Sequence, residues 1–325
     1  MRQNVELSVC ITTFNMEKYI ERAIESVQAQ KTDFEYEIIV ADDCSTDNTI
    51  ALLQRYQRKM GEKFRILYAE RNRELFDNFL LTVHAAKGKY IASLDADDYW
   101  IDEYKLQKQI DIMDKDEAVG FVYTNYQYRT ENSQAIIPNN DKYIHTATNH
   151  FQTYLLHPYI CPSTICFKKT LVDFDLLSVF TGKRIVAQDY VLFLGFLSKS
   201  RGFYLNEITT EYLVREDSSS RTGNIKKKIS TLHNNYAIGN YFIDRHPVGA
   251  SVAAYREFKY RQDVLLAAWQ TNDFPLVKRA AKQLSIKQFF KHNPKALYIF
   301  IASKSSLLYK LCKPWLLRKR RFTGE

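Results

Sequence analysis

The 325-residue chain contains five cysteines, Cys10, Cys44, Cys161, Cys166 and Cys312, scattered and with no CxxC pair. A disulfide framework or a zinc site needs closer, paired spacing, so these read as reduced thiols of a cytosolic protein. Proline is scarce at seven residues while 46% of the chain is hydrophobic. That balance excludes a disordered or collagen-like chain and leaves a globular one with a large core, as one large or two modest domains. No stretch reaches the roughly 18 uncharged apolar residues of a spanning helix. Met1 to Asn15 lacks the basic region and apolar run of a secretory signal. There is no GxGxxG and no GxxxxGK followed by Ser or Thr, hence neither a dinucleotide fingerprint nor a phosphate-cradling glycine loop.

Acidic residues are scarce in one part only. Residues 1–220 hold 25 basic and 32 acidic side chains, a net of −7, whereas residues 221–325 hold 21 and 5, a net of +16. The overall +9 therefore joins two electrostatic objects, and the basic one invites an anionic partner.

In the acidic part, strand and helix patterns alternate. Leu7 to Thr12 reads as a buried strand, followed by Ile20, Ala23, Ile24 and Val27 at i, i+3, i+4, i+7, one apolar helix face, with Asn15 as its expected cap. Glu37 to Ala41 is a second strand, and a helix through Ile50, Leu53 and Tyr56 is capped by Asp47 or Thr46. Phe64 to Ala69, Phe76 to Ala86 and Tyr90 to Leu94 continue as strand, helix and strand, with Gly88 stopping the helix. Such crossovers predict an α/β fold, a mainly parallel sheet flanked by helices, with ligands bound beyond the carboxyl ends of the strands.

Five carboxylates fall at those ends: Asp42 and Asp43 after strand two, Asp95, Asp97 and Asp98 after strand four. Packed together they repel and take up protons unless a counter-ion joins them. Mg²⁺ or Mn²⁺ suits such hard oxygens, usually through one or two carboxylates plus substrate phosphates. Asp residues also shape turns and cap helices. Asp47 is read as a cap, and the run Asp95, Asp97, Asp98 as a functional cluster.

Ser8-Val9-Cys10-Ile11-Thr12-Thr13-Phe14-Asn15, Ala41-Asp42-Asp43-Cys44-Ser45-Thr46-Asp47 and Gly88-Lys89-Tyr90 through Leu94-Asp95-Ala96-Asp97-Asp98-Tyr99-Trp100 resemble, in order and spacing, the family 2 glycosyltransferases of the GT-A fold. The likeness is dense over residues 7–115 and thins towards 215. It implies that Thr12, Phe14 and Asn15 belong to the donor site, with Thr12 and Phe14 lining the base pocket and Asp43 hydrogen-bonding the base. Asp95-Ala96-Asp97 matches the DXD element, so Asp95 approaches the ribose and Asp97 binds the metal, Mn²⁺ or Mg²⁺, that bridges the donor diphosphate. Asp98 extends the element, with two roles open: contact with the donor sugar, or support of the metal ligand.

Inverting members of the family use a carboxylate base at the start of a helix. Gln188-Asp189-Tyr190 precedes an apolar run, which makes Asp189 the catalytic candidate. A helix cap is the plainer reading, and the helix dipole is expected to lower its pKa. Gln188 stands where relatives often carry an acid.

Two further departures bear on the donor site. Glu74 occupies a glycine position of the Asn72–Phe79 loop, leaving Arg71 or Arg73 to reach the nucleotide. Arg215 stands where many relatives have histidine. Two roles remain open for Arg215: stabilising the leaving diphosphate, or pairing with Glu216 at the surface.

Residues 129–165 lack periodicity and fall where acceptor contacts are expected. His145, His150 and His157 are too loosely spaced for a metal site. Beyond Arg221 the sequence turns helical and basic. It ends with Leu307, Leu308, Tyr309, Leu311 and Trp315 among Lys304, Lys310, Lys313 and Arg318 to Arg321, which suits either an anionic membrane surface or a packed helix with a solvated end. No nucleic-acid reader motif is present, so nucleic acid is not an expected partner.

The expectation is a catalytic domain over 1–220 and a helical basic region over 221–325. The enzyme is expected to be a metal-dependent, inverting glycosyltransferase that takes a nucleotide sugar, UDP-linked, to a glycan or lipid-linked acceptor for surface polysaccharide. Its place is the cytoplasm, peripheral on the inner face of the membrane. Nucleotidyl transfer is the alternative enzyme class, but Thr12 to Lys18 lacks its glycine-rich basic segment. A non-catalytic membrane- or nucleic-acid-binding scaffold is the third reading.

Overall fold

A computed structural model describes residues 5–73, 75–131, 136–141, 143–144, 150–181, 188–215, 224–271 and 273–312. The chain divides into two compact units, Met1–Ser218 and Ser219–Glu325.

In the first unit β1 (Leu7–Thr13), β2 (Tyr36–Asp42), β3 (Phe64–Tyr68) and β4 (Tyr90–Asp95) alternate with α1 (Ile20–Gln28), α2 (Thr49–Met60) and α3 (Leu75–Ala85). Then come β5 (Tyr99–Trp100), α4 (Lys105–Lys115), β6 (Val119–Thr130), β7 (Ile136–Pro138), α5 (His150–Leu156), β8 (Cys166–Lys168), α6 (Phe174–Ser178), α7 (Gln188–Lys199) and β9 (Arg201–Val214). The sheet runs β3-β2-β1-β4-β8-β6-β9-β5, with β7 on β6. β1 to β4 are mutually parallel, β8 is antiparallel to both its neighbours, and β6 and β9 are again parallel.

β1 is buried along its whole length, as expected of a central parallel strand covered on both faces. Ile20, Ala23, Ile24 and Val27 are all fully buried in the core beside Leu7, Val9, Ile38 and Leu94. Each large aliphatic side chain so buried is worth about 1.5–3 kcal/mol, which is what holds the helices on the sheet. The polar Ser8 survives inside because its Oγ donates to Glu37 Oε1 (2.8 Å) and accepts from Gly88 N (2.9 Å), while Arg65 pairs with Glu37 Oε2 at 3.0 Å.

Two local expectations are corrected. Gly88 does not stop α3, which ends at Ala85; a Cβ there would lie 2.6 Å from Leu7 C, so close backbone approach demands glycine. Asn15 does not cap α1, which begins only at Ile20 with Tyr19 at its cap position. The Asn15 side chain is engaged elsewhere, as the site shows. Asp47 does serve the start of α2, its Oδ1 accepting from Thr49 N at 3.0 Å.

The second unit is helical, as the sequence pattern predicts: α8 (Ile225–Arg245), α9 (Ala250–Trp269), α10 (Phe274–Lys282), α11 (Ile286–His292), α12 (Leu297–Ala302) and α13, residues 306–312. Asn224, Asp273 and Ser285 cap α8, α10 and α11 through backbone N–H groups. Phe258, Leu265, Trp269, Val277, Phe289, Phe300 and Tyr309 form its core.

Candidate active site

The carboxyl ends of β1, β2 and β4 lie side by side, Thr12 opposite Asp95 and Thr13 opposite Asp42. The loops leaving β1 and β2 are laced together. Asn15 Oδ1 accepts from Thr46 N (2.7 Å), Ser45 Oγ accepts from Asn15 N (2.9 Å), and Asp47 Oδ2 accepts from Glu17 N (3.1 Å). Asn15 (φ 54°) and Cys44 (φ 66°) both sit in left-handed backbone. Asn tolerates that region, whereas for Cys44 it is held strain, secured by its thiol donating to Ala69 O at 2.9 Å. Asn15 therefore fixes the two loops, and Phe14 beside it is left 42% exposed, an aromatic face open to solvent at the strand end. Thr12 is buried on β1, and the neighbouring Thr13 Oγ1 is buried without a hydrogen-bond partner among the described residues.

The five carboxylates divide by what already occupies them. Asp42 is committed to its own turn, accepting from Ser45 N (2.9 Å) and Ser45 Oγ (2.5 Å). Asp43 accepts from Arg73 N at 2.7 Å, so the loop after β3 is tied to Asp43 through its backbone. Glu74 lies outside the described residues. Asp98 is buried, with Oδ2 receiving Ser163 Oγ–H (2.5 Å) and Oδ1 receiving Leu213 N–H (3.0 Å). Both its oxygens are thus used inside the protein. Ser163 Oγ also accepts from Asp95 N (3.1 Å), and Ser163 O accepts from Trp100 Nε1 (2.8 Å). One buried serine thus joins the Asp95–Asp98 turn, the 161–164 segment and, through Asp98, the end of β9.

That end carries Arg215. Its Nη1 lies 3.1 Å from Asp97 Oδ2 and 2.7 Å from Met16 Sδ, and its guanidinium carbon stands 5.2 Å over the Tyr19 ring. The carboxylates crowd as expected: burial and the charges of Asp97 and Asp95 hold the Asp98 carboxyl well above the usual carboxylate range. Protein hydrogen bonds to Asp42, Asp43 and Asp98 and the Arg215 guanidinium beside Asp97 offset part of that repulsion. Glu216 lies outside the described residues. Asp95 remains, its carboxyl oxygens accepting no hydrogen bond among the described residues. Burial first, then the charges of Asp97 and Asp189, push its pKa up to about 7.

Asp189 stands in the first turn of α7. Its pKa is raised above the ordinary carboxylate value because burial outweighs the hydrogen bonds from its own N–H and that of Tyr190. This corrects the expectation that the helix start lowers it. Asp189 and Asp95 share the lining of a cavity of about 20 Å³ with Ser93, Gln188 and Phe193, room for one water. Gln188 Oε1, buried without a partner among the described residues, supplies an acceptor there.

No group of three or more His, Cys, Asp or Glu among the described residues is arranged to hold a metal. Mg²⁺ and Mn²⁺ typically need only one or two carboxylates plus substrate phosphates, and Asp95 with Asp97 fits that smaller donor set. His157 stacks on Tyr143 at 3.9 Å; His145 lies outside the described residues. Cys10, Cys161 and Cys166 are buried and all five thiols are free.

Glycosyl transferase family 2 matches residues 8–173, just over half of the chain. The chain belongs to that family. Among relatives, this family 2 glycosyltransferase is 30% identical over 226 residues to the putative teichuronic acid biosynthesis glycosyltransferase TuaG of Bacillus subtilis, covering 68% of this chain and 84% of TuaG. It is 27% identical over 227 residues to the Escherichia coli UDP-Glc:alpha-D-GlcNAc-diphosphoundecaprenol beta-1,3-glucosyltransferase WfgD, covering 66% and 79%. With the uncharacterized protein Rv1520 of Mycobacterium tuberculosis the identity is 37% over 109 residues, 34% of this chain and only 32% of that one.

Among solved structures, residues 1–349 of S. aureus TarS superpose with TM-score 0.63 at 15% identity over 99% of this chain and 92% of that one. The same protein with UDP-GlcNAc gives 0.56 at 17% identity, covering 93% and 91%. The mannosyltransferase PcManGT of Pyrobaculum calidifontis, in complex with GDP-Man and Mn²⁺, gives 0.56 at 15% identity, covering 97% and 88%. The family 2 glycosyltransferase has the GT-A fold.

Proposed function

We propose that the protein moves a sugar from a nucleotide-sugar donor, a UDP-sugar, to a glycan or lipid-linked saccharide acceptor during surface polysaccharide synthesis, with inversion at the anomeric carbon. The observation that supports this is the cavity that Asp95, at the end of β4, and Asp189, in the first turn of α7, line together, with Asp97 two residues beyond Asp95.

In this reading Phe14 stacks on the base, Thr12 lines its pocket and Asp43, held by Arg73 N, hydrogen-bonds the base. Asn15 and Asp98 act by fixing the loops that present these groups. Asp97 holds Mn²⁺ or Mg²⁺ with Asp95 beside it, and a bound cation supplies neutralisation of charge developing on the leaving diphosphate. Arg215 turns its guanidinium to the same diphosphate. Asp189 takes the acceptor hydroxyl proton as that oxygen bonds to the anomeric carbon and the nucleoside diphosphate departs. A raised carboxyl pKa suits that task better than an ordinary one.

The UDP-GlcNAc complex of TarS and the GDP-Man and Mn²⁺ complex of PcManGT support donor class and metal use. The names of TuaG and WfgD support a polysaccharide or diphospholipid-linked acceptor, made on the cytoplasmic side. A panel of UDP- and GDP-sugars read by thermal shift with and without Mn²⁺ tests the reading. Metal-dependent stabilisation by UDP-sugars is expected, and stabilisation by none of them overturns it.

A further inference from the structure

The helices at the end of the second unit each carry two apolar faces. In α11, Phe289 is buried in the core while Phe290 is 64% exposed, with Ile286 one turn away also exposed. In α13, Tyr309 is buried against Trp269 and Phe274, whereas Leu307 and Leu311 are 67% and 66% exposed. The core uses one face of each helix and leaves the other in solvent. Single exposed apolar side chains are ordinary, but pairs at i, i+4 on two helices that share one core cluster are not what a solvated surface selects.

Charge identifies what covers these faces. Lys287 and Lys291 on α11, Lys310 on α13 and Lys304 just before α13 are all exposed. Between Asp273 and Glu325 the chain has thirteen Lys and Arg and no Asp or Glu. A protein interface centred on Phe and Leu is normally depleted of lysine. Apolar side chains with interleaved cations and no acid suit the headgroup boundary of an anionic bilayer, where lysine stems lie along the apolar layer and ammonium groups meet phosphate. No helix among the described residues is long and apolar enough to cross a membrane, so the contact is with a surface.

We infer that α11 and α13 form an anionic-lipid docking surface with Phe290, Leu307 and Leu311 as its inserted anchors and Lys287, Lys291 and Lys310 as its charge contacts. The inference stands apart from the transfer chemistry, since none of these residues belongs to the strand-end site. Removing the whole tail is a poor test, because Tyr309 is a core residue.

The test uses the full chain and sedimentation with vesicles of phosphatidylcholine alone or mixed with phosphatidylglycerol. Wild type is expected to favour the anionic vesicles about tenfold or more and to lose that preference as salt rises from about 0.1 M to about 0.5 M. A Phe290→Ser/Leu307→Ser/Leu311→Ser variant is expected to bind about tenfold or more weakly, with an unchanged melting temperature and unchanged donor hydrolysis. A Lys287→Gln/Lys291→Gln/Lys310→Gln variant is expected to lose the preference for anionic lipid. Equal binding to both vesicle types, or full binding by the triple Ser variant, overturns the inference. So does light scattering that shows a dimer abolished by the triple Ser variant without vesicle binding, or tighter binding to duplex DNA than to anionic vesicles.

Discussion

Arg215 Nη1 sits 3.1 Å from Asp97 Oδ2, across 118 residues of sequence. The carboxylate proposed to hold the cation is therefore already neutralised by a guanidinium, and a metal arriving at Asp97 competes with it. Arg215→Ala is expected to tighten Mn²⁺ binding in the absence of nucleotide on the order of tenfold, equivalent to ~1.4 kcal/mol. UDP binding in the presence of Mn²⁺ is expected to weaken by a similar factor. Titration calorimetry of each ligand alone and in sequence checks both signs.

Ser163 is the support of the Asp95–Asp98 turn. Ser163→Ala leaves the buried Asp98 Oδ2 without its hydroxyl donor and the part-buried Asp95 N without its acceptor. The expected cost is about 1–3 kcal/mol in urea unfolding, and weaker UDP-sugar binding should accompany it because Asp95 and Asp97 are no longer held. Cys161→Ser, at the same segment, lacks these partners and serves as the comparison for donor affinity.

Asp189 has its pKa raised by burial, and a general base works only when ionised. Transfer is therefore expected to fall as pH drops through a value above the ordinary carboxylate range, giving a kcat/KM acid limb displaced upward. Asp189→Asn is expected to lower kcat by about 10²–10⁴ while leaving UDP binding unchanged. A kcat/KM profile against pH, with UDP binding of the variant measured by calorimetry, checks both.

Lys105 is wholly buried, its Nζ 2.8 Å from Gln109 Oε1 and 4.3 Å from the centre of the Trp100 ring. Burial lowers its pKa to about 7, far below that of the unfolded chain. The unfolded state binds the extra proton above that value, so stability rises with pH from about 7 and is lost again as pH falls back through it. Between about pH 7 and about pH 9 this contributes about 2 kcal/mol. Lys105→Met should flatten that rise, seen as the difference between urea midpoints of wild type and variant across the interval.

The strand and helix alternation was legible because buried parallel strands such as Leu7–Thr13 are nearly continuous apolar runs, and Ile20, Ala23, Ile24 and Val27 repeat with helical spacing. The strand-end carboxylates were legible because a polar run straight after such a strand has one place to be. What those carboxylates touch was not. Asp98 meets Ser163 and Leu213, 65 and 115 residues away, and no local spacing encodes such pairs. The two-residue β5, Tyr99–Trp100, exists only because β9 lies beside it. The rise of the Asp189 pKa likewise depends on tertiary burial, while only the opposing helix dipole can be read from sequence.

Asp97 is proposed to serve metal-dependent donor use at this sheet edge. The most direct test is release of nucleoside diphosphate from UDP-sugars by wild type and Asp97→Asn, with Mn²⁺ and with EDTA. The account predicts release by wild type with Mn²⁺, its loss in EDTA, and loss in Asp97→Asn together with Mn²⁺-dependent UDP binding. Full release by Asp97→Asn, or release undiminished by EDTA, would contradict it.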